Sequence, residues 1–132
     1  GFSIMAGKLI ADQIEHSTAG SLDTSYVVNG SAKVWVHINN VNDVISVGNS
    51  LNTSSITDVG TGMNRTNYSN SFSSAETGIT VSVYTTGSYS NWVRTTGYYN
   101  QYSNSHEHLM IDETDSFYDA TSNNSTVHGD LA

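Results

Sequence analysis

The stretch Gly30–Asp58, GSAKVWVHINNVNDVISVGNSLNTSSITD, decides how the rest of the chain is interpreted. Between Ala32 and Ile38, small and branched apolar residues recur at every second position, and Trp35 is among the side chains that point the other way. A period of two residues is typical of a β-strand with two unlike faces. The pattern therefore predicts a strand over Ala32–Ile38 with one face directed into a core.

The residues after this strand predict that the chain turns back on itself. Asn39, Asn40 and Asn42 are residues that favour turns, and Asp43–Gly48 (DVISVG) has the apolar content of a return strand. We therefore expect a β-hairpin on which the rest of the domain is built. Trp35, on the face opposite the core, is expected between sheets or between subunits.

The composition favours a β-rich protein that buries surface in more than one way. The chain has 132 residues, about the size of one domain, and only 36% of them are apolar and 12% charged. Such a composition fits either partial disorder or a β-protein that also buries surface between subunits. Disordered chains contain few aromatic residues, whereas this one has 8 Tyr, 2 Trp and 3 Phe. The second interpretation is therefore preferred.

The charge excludes several classes of partner. The formal net charge is −8, with only 4 Lys and Arg together, so a basic surface for nucleic acid is lacking. No apolar run reaches the roughly 20 residues that span a bilayer, so membrane insertion is not expected.

The chain contains no Cys, which excludes disulfides and thiolate zinc sites. Residues 1–5 are interpreted as an expression remnant followed by the natural start.

The segment 6–30 is expected to be extended. The pattern at Lys8–Ile14 fits a short strand or one helical turn equally well, and Glu15–Asp23 is polar enough to be a linker. A short strand is predicted at Tyr26–Val28. Because Asn29-Gly30 is a strong hairpin signal, this strand is expected to pair with Ala32–Ile38.

Residues 31–132 are predicted to form an all-β domain, a jelly-roll-like β-sandwich. Many short strands separated by turn residues are typical of sandwiches and barrels. Asn100–Ser105 is expected to be a polar, mobile connection, and Tyr68 and Phe72 are expected on the inner face. The further strands are predicted at Ser54–Val59, Met63–Phe72, Ile79–Tyr84, Trp92–Tyr99 (bulged at Gly97), His106–Ile111, Ser116–Ala120 and Ser125–His128.

Three pieces of the chain carry a family resemblance. AKVWVHIN at Ala32–Asn39, NSLNTSSITD at Asn49–Asp58 and VGTG at Val59–Gly62 resemble a theme of bacteriophage tail-fibre and related virion proteins. That theme runs KAWV, then SFN, then SSITD-x-GTG. Lys8–Ala32 and Val127–Ala132 are similar to the usual start and finish of these proteins.

The resemblance implies a structural protein of the virion, located in a tail fibre or on the particle surface. It implies a homotrimer whose N-terminal segment, 6–30, intertwines and attaches to other virion proteins. It assigns no receptor.

A cluster of aromatic and amide side chains is the candidate recognition site. Aromatic rings stack on the C–H faces of sugars and amides bond their hydroxyls, while Tyr- and Asn-rich loops also suit protein recognition. The alternative is that Trp92 and some of the tyrosines belong to the core or to a subunit interface. The candidate ligand-binding residues are Tyr89, Asn91, Trp92, Tyr98, Tyr99, Asn100 and Tyr102.

His106 and His108 are the candidate metal ligands. On a strand they share one face, so a threefold trimer would bring six imidazoles around its axis, and imidazole suits transition metals. The alternative is two polar residues on an exposed strand or loop. No other cofactor is expected.

The chain is not expected to be an enzyme. It has neither a Cys nucleophile nor a Gly-x-Ser-x-Gly elbow. The preferred function is a trimeric tail fibre or receptor-binding tip that contacts a host-surface glycan or protein. A capsid decoration or head-fibre protein is one alternative, and a glycan depolymerase is the other.

Overall fold

The structure is a computed structural model that describes residues 7–85 and 94–132, and for residues 94–99 it describes the backbone alone. The described part is antiparallel β structure with one short helix, which confirms the prediction of an all-β chain. None of its helices has the length and apolar character needed to span a bilayer. The elements are β1 (Gln13–His16), β2 (Gly20–Asp23), α1 (Thr24–Gly30), β3 (Val34–Val41), β4 (Val44–Leu51), β5 (Thr53–Gly60), β6 (Met63–Tyr68), β7 (Gly78–Tyr84), β8 (Arg94–Tyr102), β9 (Ser105–Ile111) and β10 (Ser122–His128).

The chain divides into two compact units between Ser31 and Ala32. In the first unit β1 and β2 form an antiparallel hairpin, and α1 follows directly. The backbone N–H of Thr24 donates to the carbonyl of Asp12 at 2.8 Å, and the Thr24 hydroxyl donates to the carbonyl of Ala11 at 2.7 Å. These bonds tie the start of the helix to the chain that precedes β1.

Two predictions for the first unit are wrong. Glu15–Asp23, expected to be an extended linker, contains most of the β1–β2 hairpin. Tyr26–Val28, expected to be a strand paired with the opening strand, lies in α1. The Asn29-Gly30 signal ends this helix, where the N–H of Ser31 donates to the carbonyl of Val27 at 3.3 Å. Gly suits the end of a helix as well as a hairpin turn, so the dipeptide did not distinguish them.

The second unit contains two four-stranded antiparallel sheets, with strand orders β4-β3-β10-β7 and β5-β6-β9-β8. The predicted opening hairpin is confirmed as β3–β4. Asn42 and Asp43 form its turn with φ values of 53° and 62°. Two positive φ values match the twist of the strands they join, as in a type I′ turn. The first strand runs beyond the predicted end at Ile38 to Val41, so the prediction that Asn39 and Asn40 belong to the turn is wrong.

The alternation that predicted the first strand also decides its burial. Val34, Val36 and Ile38 are buried, whereas Trp35 on the opposite face is 37% exposed. The predicted core face is thus confirmed. Trp35 lies directly across from Leu51 of β4, which is also exposed.

Both sheets contribute to one apolar core. Val34 of β3 and Val127 of β10 pack with Tyr68 of β6 and with Phe72, and Ile79 of β7 covers them. The rings of Tyr68 and Phe72 meet edge to face, with centroids 5.3 Å apart and planes at 74°. The inner positions predicted for these two rings are confirmed. Burying a Val or Phe side chain in such a core contributes about 2 kcal/mol to the free energy of unfolding.

The later strands agree with the predicted pattern in most places. The strands expected near 54–59, 63–72, 79–84 and 106–111 are present, and residues 92–93 of the strand expected at 92–99 lie outside the described residues. The pairing of β8 shifts between Thr95 and Gly97, as the predicted bulge requires. Ser116–Ala120 is not a strand, because its only described pairing is a single bridge between Phe117 and Ile111.

The prediction of a mobile connection at Asn100–Ser105 is also wrong. These residues end β8, make a short turn and begin β9. The segment is polar because its side chains bond other parts of the fold: the Gln101 amide donates to the carbonyl of Thr77 at 2.8 Å. Polarity therefore indicated hydrogen bonding here, and not a mobile connection.

Gly62 occupies a place that no larger residue fits. Its φ is +71°, and a Cβ added there would lie 2.5 Å from the carbonyl oxygen of Met110 and 2.7 Å from the backbone nitrogen of Tyr118. Both of its backbone groups are bonded: its N–H donates to an Asp119 carboxylate oxygen at 2.6 Å, and its carbonyl accepts from Met110 N–H at 2.7 Å. This turn holds the residues after β9 against the start of β6.

We predict that Gly62→Ala lowers the free energy of unfolding by about 3 kcal/mol, because it combines an unfavourable φ with a backbone clash. Urea unfolding measures this change. Gly78→Ala is the matched control, since the nearest atom to its added Cβ would be 3.9 Å away. Equal stability of the two variants would contradict the close packing at Gly62.

Candidate functional site

The strand β9 lies between β6 and β8, and the candidate functional residues are arranged on its two faces. His106 and His108 point inward, towards the apolar core, and Glu107 between them points outward. All three are buried, with exposed fractions of 0%, 1% and 3%. Such burial of polar side chains requires specific partners, which differ on the two faces.

On the inner face, His106 is held by Tyr68. The Nδ1 atom of His106 lies 2.8 Å from the Tyr68 hydroxyl oxygen, and the two ring centroids are 5.8 Å apart. The pairing register places Thr66 of β6 directly across from His106. The Nε2 atom of His106 and the Oγ1 atom of Thr66 are both buried without a hydrogen-bond partner.

The neighbouring ring, His108, links the two sheets. Its Nδ1 atom lies 3.3 Å from the side-chain oxygen of Asn123 on β10. Asn64 is directly across from His108 on β6, and Ser125 follows Asn123 on the inner face of β10. The interior next to the apolar core is therefore a layer of polar side chains. We call this the polar layer: Asn64, Thr66, His106, His108, Asn123 and Ser125.

Burial keeps both histidines neutral. Removal from water and, as a smaller cause, electrostatic interaction with His108 lower the pKa of His106 to about 4. Removal from water also lowers the pKa of His108 to about 4, against a weaker opposing effect of its bond to Asn123. A neutral imidazole both donates and accepts, which suits a layer of hydroxyls and amides.

The position of the two rings corrects the metal prediction. His106 and His108 do share one face, as predicted, but that face lies inside a single chain and not at a surface where three copies could meet. The described residues contain no group of three or more His, Cys, Asp or Glu side chains arranged to hold a metal. The alternative of an exposed strand or loop is equally wrong for these residues.

We predict that the protein loses stability as the pH falls from about 6.5 to about 4. The unfolded chain binds protons on these histidines below about 6.5, while the folded chain does not bind them until about 4. Full stability is therefore present above pH 6.5. At the acid end of this range the free energy of unfolding is lower by roughly 3 kcal/mol for each histidine.

Urea unfolding at a series of pH values measures this dependence. His106→Gln removes one titrating group and is expected to flatten the curve between pH 6.5 and 4, whereas His16→Gln, on the exposed strand β1, is the matched control. The same slope for His106→Gln as for the unmodified protein would contradict the buried neutral ring.

The outer face of the sheet β5-β6-β9-β8 carries two rows of side chains at matching register. The first row crosses all four strands as Thr57, Arg65, Glu107 and Asn100. The second row, one step along, is Ser55, Asn67, Ser105 and Tyr102. Directly opposed residues of antiparallel strands lie on the same face. We call these eight residues the platform.

An ion pair at the centre of the platform fixes the first row. The Arg65 guanidinium donates to one oxygen of Glu107 through Nε, at 3.0 Å, and through a terminal nitrogen. The Asn100 amide donates to the other oxygen of Glu107. The bond from Asn100, followed by that from Arg65, holds the pKa of the Glu107 carboxyl below its usual value, so the carboxylate stays charged.

The second row adds hydroxyls, an amide and one aromatic ring. The Asn67 amide donates to the hydroxyl oxygens of Thr57 and Ser55 at 3.0 and 3.1 Å. The Tyr102 ring is 43% exposed, and the Arg65 guanidinium carbon lies 5.9 Å from its centroid. That distance is at the outer limit of a cation–π contact. The ring is therefore held at the surface beside charged and amide groups.

The structure brings together two of the seven predicted ligand-binding residues. Asn100 and Tyr102 lie in neighbouring rows of the platform. Tyr98 and Tyr99 lie in β8, but their side chains are not described. The predictions for Tyr89, Asn91 and Trp92 fall outside the described residues.

Sequence reasoning missed Arg65, Asn67 and Glu107. Their outward direction follows from the alternation of β6 and β9, which places Tyr68 and the two histidines inward. That signal was present in the sequence. The sequence does not show that β6 pairs with β9. That pairing brings together Arg65 and Glu107, which are 42 positions apart.

No protein-family model, no curated protein and no solved structure matches the chain.

Proposed function

We propose that this chain is a structural protein of a bacteriophage virion that forms a homotrimeric tail fibre or receptor-binding tip and contacts a host-surface glycan or protein. The observation that carries the recognition role is the platform. Its central carboxylate is bonded by Arg65 and Asn100, and an exposed ring, Tyr102, stands beside them. Ordered polar groups around an exposed aromatic ring are typical of surfaces that recognise a ligand.

The virion location rests on the resemblance of Ala32–Asn39, Asn49–Asp58 and Val59–Gly62 to tail-fibre proteins. Within the fold these residues form the β3–β4 hairpin, then β5, then the tight turn at Gly62. We further propose that the two sheets form a jelly-roll-like sandwich. The core shared by Val34, Val127 and Tyr68 supports face-to-face packing of the sheets.

The trimer is supported by the exposure of the first unit. Its hairpin and helix contain no buried residue. A two-stranded hairpin and a seven-residue helix are each unstable alone in water. Among its described residues, from Gly7 onwards, the large exposed apolar side chains are Leu9, Ile10, Ile14, Leu22, Tyr26, Val27 and Val28. Contact with other copies of the chain and with other virion proteins would cover them, so we assign self-association and attachment to this segment.

A second surface for a neighbouring subunit lies on the outer face of the β3–β4 hairpin. Trp35 and Leu51 are exposed and directly opposed there. Burial of this pair between copies would add apolar contact to a chain whose own apolar core is small. In such an assembly the first unit and the Trp35 face would contact other subunits, and the platform would remain free for the ligand.

Binding is favoured over cleavage by the chemistry of the platform. Glu107 is the one acidic residue among the eight, and both of its oxygens accept charge-assisted hydrogen bonds. Hydrolysis of a glycosidic bond by the usual route needs two carboxyl groups, one of them protonated. This arrangement suits a receptor-binding protein better than a depolymerase, and we propose no catalytic activity.

A capsid decoration or head-fibre protein remains the second candidate, because an assembly surface at Trp35 and Leu51 would serve it equally well. Negative-stain imaging of particles labelled with an antibody to this chain separates the two. Label at the tail supports the fibre proposal, and label on the head supports the decoration alternative.

We predict that the purified protein has three times the 14.2 kDa mass of the chain by light scattering. Leu9→Ser combined with Ile10→Ser is expected to lower the mass, because it removes the most exposed apolar pair among the described residues of the first unit. Val41→Ser combined with Val44→Ser is the matched control, since these residues are similarly exposed at the β3–β4 turn. A monomer at micromolar concentration would contradict the trimeric proposal.

A further inference from the structure

We infer that the platform, on the outer face of β5-β6-β9-β8, binds an uncharged saccharide, with Tyr102 stacking on the sugar ring and Arg65, Asn100 and Asn67 bonding its hydroxyls. This inference rests on the proposed recognition function and narrows its ligand from "glycan or protein" to one chemical class.

The charge balance of the platform selects against acidic ligands. Arg65 is its one cationic residue, and Glu107 offsets that charge at hydrogen-bond distance. The whole chain carries 12 acidic against 4 basic residues. A sulfate, phosphate or carboxylate would meet no unbalanced positive charge here and would be repelled at long range. Hydroxyl groups, in contrast, need donors and acceptors without net charge.

The surroundings of Tyr102 favour a sugar over a protein surface. The centre of a protein interface is depleted of charged residues and rich in apolar ones. The neighbours of this ring on the platform are Arg65, Asn67, Asn100 and Ser105, none of which is apolar. An exposed ring face gives the C–H groups of a sugar a surface to stack on. The amides and the guanidinium beside it supply hydrogen-bond donors. That pairing matches a pyranose, which has an apolar face and a polar rim.

The hydrogen bonds of the platform hold its groups in place before a ligand arrives. The side chain of Glu107 is 4% exposed, and its ion pair with Arg65 holds the guanidinium in one position. Asn67 is held by Thr57 and Ser55. Because these side chains are already ordered, binding loses less conformational entropy than it would with free surface residues. A single shallow site of this kind binds weakly, and three copies in one trimer raise the avidity.

Affinity electrophoresis tests the inference with soluble polysaccharides as probes. The net charge of −8 lets the intact protein migrate in a native gel. Dextran, mannan, galactomannan and a mixed-linkage β-glucan supply uncharged sugars, and alginate and hyaluronate supply acidic ones. We expect at least one uncharged polysaccharide to retard the protein and neither acidic one to do so. Retardation by an acidic polysaccharide alone, or by none of the six, would overturn the inference.

Two variants then locate the site. Tyr102→Leu keeps an apolar residue in the strand but removes the aromatic face, and it is expected to weaken retardation about tenfold. Tyr84→Leu is the matched control, because Tyr84 is an exposed tyrosine on β7 of the other sheet, and it is expected to change nothing. Equal losses for the two variants, or no loss for Tyr102→Leu, would place the ligand elsewhere. Light scattering on the same sample tests the trimer separately, so a trimer without retardation removes this inference alone.

Discussion

The fold depends on a strand that is buried on both of its faces although its first four residues, Ser105 to His108, are polar. β9 is hydrogen-bonded to β6 on one edge and to β8 on the other. Its inner side chains, His106 and His108, are neutral because burial lowers their pKa to about 4. Its outer side chain, Glu107, keeps its charge because Asn100 and Arg65 bond it. Adjacent residues thus differ in ionisation state. Each has a hydrogen-bonding partner on its own side of the sheet: Tyr68 for His106, Asn123 for His108, and Arg65 with Asn100 for Glu107.

This arrangement explains how a chain with 36% apolar residues forms an interior. The apolar cluster around Phe72 is small, and the polar layer continues the interior from it along β6, β9 and β10. Polar side chains inside a protein specify one arrangement more strictly than apolar ones do, because only a few geometries satisfy them. The bond from His108 to Asn123 joins the sheets in this way. The inner face therefore sets the position of the strand, and the position of the strand sets the platform on the outer face.

Local sequence patterns predicted most of the strands, but they did not predict which strands pair or which residues cover each face. The alternation over Ala32–Ile38 is a property of seven neighbouring residues, and the structure follows it. The strand predicted at Tyr26–Val28 is wrong because three apolar or aromatic residues followed by Asn-Gly fit a short helix as well as a strand. The shared face of His106 and His108 was predictable, but its burial was not. The residues that cover these rings come from β6 and β10, and no local pattern shows which distant strands will meet. The same limit applies to the site, where Tyr102 was foreseen and Arg65, which is far away in sequence, was not.

β9 is the centre of both the polar layer and the platform. Native-state hydrogen exchange followed by NMR tests this most directly, because it gives an opening free energy for each backbone amide. The amides of His106, Glu107 and His108 are expected to exchange only through global unfolding. Those of β1, in a hairpin without buried residues, are expected to open at much lower free energy. Exchange of the β9 amides as fast as that of β1, well below the global free energy measured by urea, would contradict the account.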